Sequence, residues 1–144
     1  MLVGEYQHSL DDKNRVSLPA KFRAELGKRV VVTKGLDGCL FVYSESEWLK
    51  FAEKLSDMPM GQSDTRAFNR FMLGSAGEVD VDSSGRILIP SHLTEFAALS
   101  NQIVLAGVMT RVELWNTESW KTYTNSIEHK ADTLAEKLGD IGMI

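Results

Sequence analysis

Two arginines, Arg15 and Arg86, each follow an aspartate by four residues, in the stretches D-D-K-N-R-V-S-L-P and D-S-S-G-R-I-L-I-P. A guanidinium held by a neighbouring carboxylate can meet a phosphate or a base edge already oriented. The same pair could instead only latch a turn, where an exposed ion pair contributes about 0–1 kcal/mol. The spacing alone leaves both interpretations open and favours the latch, because a duplication preserves folding motifs as well as functional ones.

The two stretches belong to an internal repeat. Their aspartates, arginines and prolines are 71 residues apart, and three later pairs are 72 apart: Gly35 with Gly107, Tyr43 with Trp115 and Trp48 with Trp120. Two copies are too few for a solenoid, which needs three or more stacked units. The repeat therefore predicts a pseudo-two-fold pair of halves that share one core.

Each copy predicts a strand, a tight turn and a second strand. Alternating residues lead into Asp11 and Asp82, and a second strand follows each turn, Val16-Ser17-Leu18 and Ile87-Leu88-Ile89, each ended by a proline. Asn14 and Gly85 stand at the same place in the two turns. Glycine and asparagine most easily adopt positive φ, so we expect a left-handed residue immediately before each arginine.

The rest of each copy predicts a short helix, a β-hairpin and a further helix. The first copy gives a helix over 19–26 ended by Gly27, a hairpin over 30–43 and a helix begun by a capping box at 44–47. A second connecting helix, 64–73, should direct Phe68, Phe71 and Met72 inward. The second copy gives a helix over 91–97 and a hairpin over 103–115. The expected divisions are 5–47 for the first half, 48–75 for the connecting helices, 76–119 for the second half and 120–144 for the tail.

The tail predicts a helix that begins near Trp120 and is capped by Asn116 or Thr117. It carries an apolar seam spaced by four and three residues, with an acidic line beside it. The seam is Ile127, Ala131, Leu134, Leu138 and Ile141, and the acidic line is Glu128, Asp132, Glu136 and Asp140. An apolar stripe left in water is unusual for a monomer, so we expect it to pack on its own body or on a neighbouring copy.

Length and composition predict one compact domain or two tightly joined halves, in the cytoplasm. The chain has 144 residues, 43% of them hydrophobic, with no apolar run long enough to span a membrane and no secretory signal. A single cysteine, Cys39, fits a reducing compartment. The net charge of −4 argues against strong non-specific binding of polyanions, although residues 1–34 hold seven basic and four acidic residues.

Other chemistry finds little support, and we expect no enzyme, metal or cofactor. Cys39 has no companion base and is best explained as a small core residue. The histidines stand singly without ligand spacing, and Asp80 and Asp82 are explained by solvent and turn capping. Trp48 and Trp120 are expected in the core or at an interface.

The stretches D-D-K-N-R-V-S-L-P-A-K-F-R, G-L-D-G-C-L-F-V-Y and D-S-S-G-R-I-L-I-P together resemble the MraZ family, over nearly the whole chain. The wider group is similar to the AbrB and MazE swapped-hairpin β-barrels. The resemblance implies a mostly β fold with helices: a tandem pseudo-two-fold barrel with helices after each hairpin and a C-terminal helix. One departure is Asn14, where the family usually has glycine, and the residues after about Ser126 are less characteristic.

The resemblance also implies a function. It implies a transcription regulator of the bacterial cell-division and cell-wall gene cluster, acting in the nucleoid as a ring-shaped homo-oligomer. The partner would be double-stranded DNA carrying short direct repeats in promoters, including the protein's own. The expected DNA-binding residues are Arg15, Arg86, Lys13, Lys21 and Arg23, and the expected supporting residues of the turns are Asp11, Asn14, Asp82 and Gly85.

The second hypothesis is an antitoxin-type interaction module. In it the barrel mainly dimerises and the acidic C-terminal helix binds a partner protein, as the acidic line and the seam would suggest. Salt-dependent DNA binding separates the two hypotheses, since a module for protein partners alone should show none. A small hydrolase completes the set of alternatives.

Overall fold

The computed structural model describes residues 1–144. The strands are β1 (Val3–Ser9), β2 (Arg15–Ser17), β3 (Arg29–Lys34), β4 (Leu40–Ser44), β5 (Gly77–Asp80), β6 (Arg86–Leu88), β7 (Gln102–Val108) and β8 (Val112–Asn116). The helices are α1 (Ala20–Leu26), α2 (Glu45–Ser56), α3 (Ser63–Met72), α4 (Ser91–Phe96) and α5 (Thr117–Asp140). The order of elements follows the duplicated pattern, with α2 and α3 between the copies. No helix has both the length and the apolar character needed to cross a membrane.

The two copies exchange their first strands. Six strands form an antiparallel sheet in the order β1-β7-β8-β4-β3-β5, in which β1 of the first copy pairs only with β7 of the second. Conversely, β5 of the second copy pairs with β3 of the first. Strands β2 and β6 pair with each other in a separate two-stranded ribbon. A mixed α/β fold with an antiparallel sheet, tandem repeats and a long C-terminal helix is confirmed, and closure of the sheet into a barrel remains a prediction.

One face of the sheet covers a single core built from both copies. Val16 of β2 and Ile87 of β6 are cross-strand partners and are fully buried in it. Phe22 of α1 and Leu93 of α4 occupy matching places in the same cluster. Because each copy supplies half of this cluster, neither half has a core of its own.

A second, smaller cluster covers the opposite face of the sheet, under α2, α3 and α5. Strand alternation divides β4 between the two clusters, with Val42 in the main core and Phe41 and Tyr43 in the second. Trp48 and Trp120 pack against this second cluster, as expected for the repeat. Cys39 is completely buried there, and burial raises the pKa of its thiol far above the ordinary value. A thiol in that state is a poor nucleophile, in agreement with its predicted place in the core.

The inward side of α3 differs from the prediction. Phe68 is 36% exposed, whereas Thr65 is buried and Met72 is fully buried. Asn69 completes this inward face and donates its side-chain N–H to the carbonyl of Leu55 over 3.2 Å. Two polar residues therefore occupy the inward stripe, which a search for apolar periodicity cannot detect.

Helix α5 begins three residues before the expected position. Asn116 is its cap, and its side-chain oxygen accepts the backbone N–H groups of Glu118 at 2.8 Å and Ser119 at 3.2 Å. From residue 128 onward every side chain of the tail is exposed, including Ile141 at 70%. The sequence predicts that the apolar seam packs either on its own chain or on a neighbouring copy. The first of these expectations is wrong for the part of the seam beyond Ile127.

Candidate nucleic-acid interface

The first candidate turn is built around the carboxylate of Asp11. One oxygen, Oδ1, accepts the backbone N–H groups of Lys13 at 2.9 Å and Arg15 at 2.8 Å. The other oxygen, Oδ2, accepts Nε of Arg15 at 2.8 Å. Asn14 lies between them with φ 61°. The aspartate thus fixes both the backbone of the turn and the direction of the guanidinium.

The second turn repeats this geometry around Asp82. Its Oδ1 accepts the backbone N–H groups of Ser84 and Arg86, each at 2.9 Å, and its Oδ2 accepts Nε of Arg86 at 3.0 Å. Gly85 has φ 80°, so the expected left-handed residue is confirmed in both turns. The two turns are chemically equivalent although Asn replaces Gly in one of them.

Backbone hydrogen bonds dominate the electrostatics of the two carboxylates. The backbone N–H groups of Arg15 and Arg86 make the largest contribution to holding the pKa of Asp11 and Asp82 below the ordinary value. Smaller contributions in the same direction come from the backbone N–H groups of Lys13 and Ser84 and from the side chains of the two arginines. Both carboxylates are therefore ionised at neutral pH, and each latch persists under physiological conditions.

Neither ion pair uses all the hydrogen-bond donors of its arginine. Within the chain, Arg15 and Arg86 use only Nε for the ion pair, and their side chains keep 31% and 34% of their surface exposed. The two terminal nitrogens of each guanidinium remain free to donate to a phosphate or to a base edge. The latch and the binding role proposed for these residues are therefore compatible.

The ribbon of β2 and β6 places both arginines on one face. Arg15 is opposite Leu88 and Ser17 is opposite Arg86, and directly opposed residues of an antiparallel pair share a face. The alternate residues Val16 and Ile87 point into the core. The outer face therefore carries one latched arginine from each copy.

Crossed hydrogen bonds fix the two turns to each other. The N–H of Leu18 donates to the carbonyl of Gly85 at 2.9 Å, and the N–H of Ile89 donates to the carbonyl of Asn14 at 2.8 Å. Each left-handed residue thus accepts a bond from the strand of the other copy. The two turns are therefore held at a fixed distance from each other.

The remaining candidates lie in three different environments. Lys13 is exposed within the first turn. Lys21, on α1, lies 3.4 Å from the carbonyl of Val3 at the start of β1 and is separate from the ribbon strands. Arg23, also on α1, reaches the second turn, where its Nη1 donates to the carbonyl of Ser84 at 3.4 Å. Arg23 therefore belongs to the turn of the other copy and supports it.

Two residues near the arginines were missed from the sequence. Lys28 lines an open groove of about 670 Å³ together with Arg23 and the turn 82–85, and its place in the Lys-Arg pair after Gly27 was an available signal. Leu88 lies on the outer face of the ribbon and is 53% exposed. Leu88 stands in one apolar run with the buried Ile87 and Ile89, but the repeat offered a signal, because Leu88 lies 71 residues after the polar Ser17.

These features define a class: a tandem-repeat protein whose two copies exchange strands and present one aspartate-latched arginine each on a shared ribbon. The family model described as "MraZ protein, putative antitoxin-like" matches residues 1–71 and again residues 72–140. The chain belongs to the MraZ family. The two matches also confirm the internal duplication.

Curated relatives agree over the full length. The chain is 50% identical to the transcriptional regulator MraZ of Caldanaerobacter subterraneus subsp. tengcongensis, over 99% of this chain and 100% of the relative. It is 48% identical to the proteins of the same name from Thermoanaerobacter sp. strain X514 and Heliobacterium modesticaldum, with the same coverage. The family is one of regulators, which confirms the prediction that the chain is not an enzyme.

Proposed function

We propose that the protein is a sequence-specific DNA-binding transcriptional regulator and that the β2–β6 ribbon is its DNA-binding surface. One observation carries the proposal: both copies present an arginine oriented by the same carboxylate, with its terminal nitrogens free, on one exposed face. A two-stranded ribbon fits the major groove, where arginine reads guanine through O6 and N7. Lys13, Arg23 and Lys28 supply nearby positive charge for the phosphates.

The regulated genes are proposed from the family. The relatives are named transcriptional regulators, and the family resemblance points to the cell-division and cell-wall gene cluster, including the protein's own promoter. Binding to short direct repeats about one helical turn apart would let successive protomers face the same side of the duplex. Such a regulator acts in the cytoplasm, at the nucleoid.

Purified protein binding to its own upstream DNA tests this function. We expect the logarithm of the association constant to fall linearly with the logarithm of the salt concentration, because arginine and lysine side chains release counterions from phosphates. A footprint on the same DNA should show several short protected repeats, and unrelated DNA of equal length is the control. Binding that is absent at low salt, or equal for both DNAs, would contradict the proposal.

We also propose a homo-oligomer larger than a dimer, closed as a ring. The part of α5 beyond Ile127 leaves apolar side chains in water, next to the acidic line of Glu128, Asp132, Glu136 and Asp140. A ring would bring several ribbons to one DNA, and avidity would offset the weak charge of a single protomer.

A second surface of different character supports head-to-tail contacts. A cavity of about 340 Å³ lies beside α2 and α3, with apolar walls formed by Leu36, Phe41, Tyr43, Phe51, Phe68 and Met72. Its lining also includes Lys50, which pairs with Glu47 at 3.2 Å, Arg111, which pairs with Glu113 at 2.7 Å, and Lys54, which has no ion pair within the chain. The apolar seam of α5 complements the apolar walls, Lys54 is available to its acidic line, and contacts between unlike surfaces form rings when the rotation closes.

Mixing two variants tests the assembly. Leu138→Asp places a charge on the apolar seam of α5, and Phe68→Asp places a charge in the wall of the cavity. Both side chains are partly exposed, so each variant should still fold. By light scattering, we expect each variant alone to be a monomer and an equimolar mixture to give a dimer, because one intact helix can still dock into one intact cavity. Leu49→Asp, on the exposed side of α2, is the matched control and should assemble fully. A mixture that stays monomeric while the wild type is a ring would eliminate this pair of surfaces, and a monomeric wild type would eliminate the ring.

The exposed acidic helix also supports the second hypothesis, an antitoxin-type module that binds a partner protein through α5. It predicts no salt-dependent DNA binding, so the measurement on upstream DNA decides between the two functions.

A further inference from the structure

The two ends of the outer face of the ribbon carry different side chains beside their arginines. Leu88 is directly opposite Arg15, whereas Ser17, which occupies the matching position of the first copy, is directly opposite Arg86. Leu88 is 53% exposed, although its neighbours Ile87 and Ile89 are buried. One end of the face thus presents an arginine with an apolar side chain, and the other presents an arginine with a hydroxyl.

An isolated exposed leucine is ordinary on a protein surface, so exposure alone has no functional meaning. The position of Leu88 is more informative. It is the only hydrophobic side chain on the outer face of β2 and β6, where the other three residues are Arg15, Ser17 and Arg86. It makes its cross-strand pair with one of the two latched arginines.

We propose that Leu88 is a specificity-determining residue that contacts the C5-methyl group of a thymine next to the base pair contacted by Arg15. This inference rests on the proposed DNA-binding function. In the major groove the thymine methyl is the apolar group of the base edges, and aliphatic side chains recognise it by contact. Ser17 at the other end can exchange hydrogen bonds with several base edges and does not select for a methyl group.

The dimensions agree with neighbouring base pairs. Directly opposed residues of an antiparallel pair have Cβ atoms about 4.5–5.5 Å apart. Successive base pairs rise by about 3.4 Å along each strand. Arg15 and Leu88 can therefore contact one base pair and its neighbour at the same time.

The unequal ends give the recognised sequence a direction. A ribbon with equivalent ends would read a two-fold symmetric sequence, because its pseudo-two-fold axis passes between the copies. With Leu88 at one end and Ser17 at the other, each protomer reads a short asymmetric site. Repeats of such a site in one orientation match protomers that follow one another in one direction.

Replacing single thymines by uracil in the footprinted DNA tests the contact, because uracil pairs identically and lacks only the methyl group. For the wild type at fixed salt, we expect uracil at one position of each repeat to lower affinity about three- to fivefold, as loss of one buried apolar carbon implies. The Leu88→Ser variant should bind thymine and uracil DNA equally. Ser17→Leu should create a second methyl-sensitive position on the other side of the repeat.

The controls separate this inference from the proposed function. Leu49→Ser, another exposed leucine, should keep the thymine preference of the wild type, and thermal unfolding should confirm that all variants fold. If the wild type binds DNA but no uracil substitution matters, or if Leu88→Ser keeps the same preference, the role of Leu88 is wrong and DNA binding stands. If the wild type binds no DNA, the proposed function itself is overturned.

Discussion

The double substitution of Arg15 and Arg86 by alanine is expected to lower the affinity for operator DNA by about 30-fold or more. A well-oriented arginine contact with a guanine edge provides roughly 1–3 kcal/mol of discrimination, and the ribbon presents two such arginines. Each single substitution should lower the affinity about fivefold or more, because each removes one of two equivalent contacts. Affinities can be measured by fluorescence anisotropy at two salt concentrations, which also reports any change in counterion release.

The same double variant should remain folded. Both ion pairs are partly exposed, and such pairs contribute only about 0–1 kcal/mol. The carboxylates of Asp11 and Asp82 also keep their bonds to backbone N–H groups, which hold the turns without the guanidinium. Arg66→Ala, an exposed arginine on α3, is the matched control and should leave both properties unchanged. Thermal unfolding would support a purely structural latch if the double variant melted early and its folded fraction bound normally.

The Gly85→Val substitution is expected to lower the free energy of unfolding by about 2 kcal/mol. Gly85 has φ 80°, a conformation that costs an ordinary residue roughly 1–2 kcal/mol and a β-branched residue more. A β-carbon at this position would also overlap Nη1 of Arg23 and displace that side chain from the second turn. Urea unfolding monitored by circular dichroism measures the change.

Asn14→Gly is the matched control for this prediction. Asn14 already has φ 61°, and asparagine tolerates that region, so we expect a neutral or slightly stabilising effect. The first turn has no need of glycine at this place, because no arginine side chain packs against it. The residue of the second copy that corresponds to Arg23 is Thr94, whose hydroxyl donates to the carbonyl of Ser91. Equal stability of Gly85→Val and the wild type would show that position 85 does not require glycine.

Local structure could be predicted from the sequence because it depends on neighbouring residues. The two left-handed turns follow from Asn14 and Gly85, and the ends of the short helices follow from prolines and Gly27. The duplication predicted one shared core, since the repeat had to pair its halves. These properties need no knowledge of which strands pair across the copies.

The partners of the side chains could not be predicted in this way. Arg23 belongs to the basic N-terminal stretch in sequence, yet the exchange of strands places it on the turn of the other copy. Phe68 appeared inward because polar Thr65 and Asn69 occupy the buried face of α3. Leu88 was not recognised as an outer residue because it stands between two buried isoleucines, and the one available signal was its counterpart in the repeat, the polar Ser17.

The exchange of first strands also governs how the protein can be synthesised. Strand β1 leaves the ribosome first, but its only partner is β7, and the register joins Val3 to Val108. Most of the chain must therefore be translated before β1 can pair, and closing so long a loop makes folding slow. Until then a nascent chain exposes strand edges that can pair with other chains. Folding is therefore completed only after most of the chain has been translated. A truncated chain that lacks the second copy would not form a stable half of the structure.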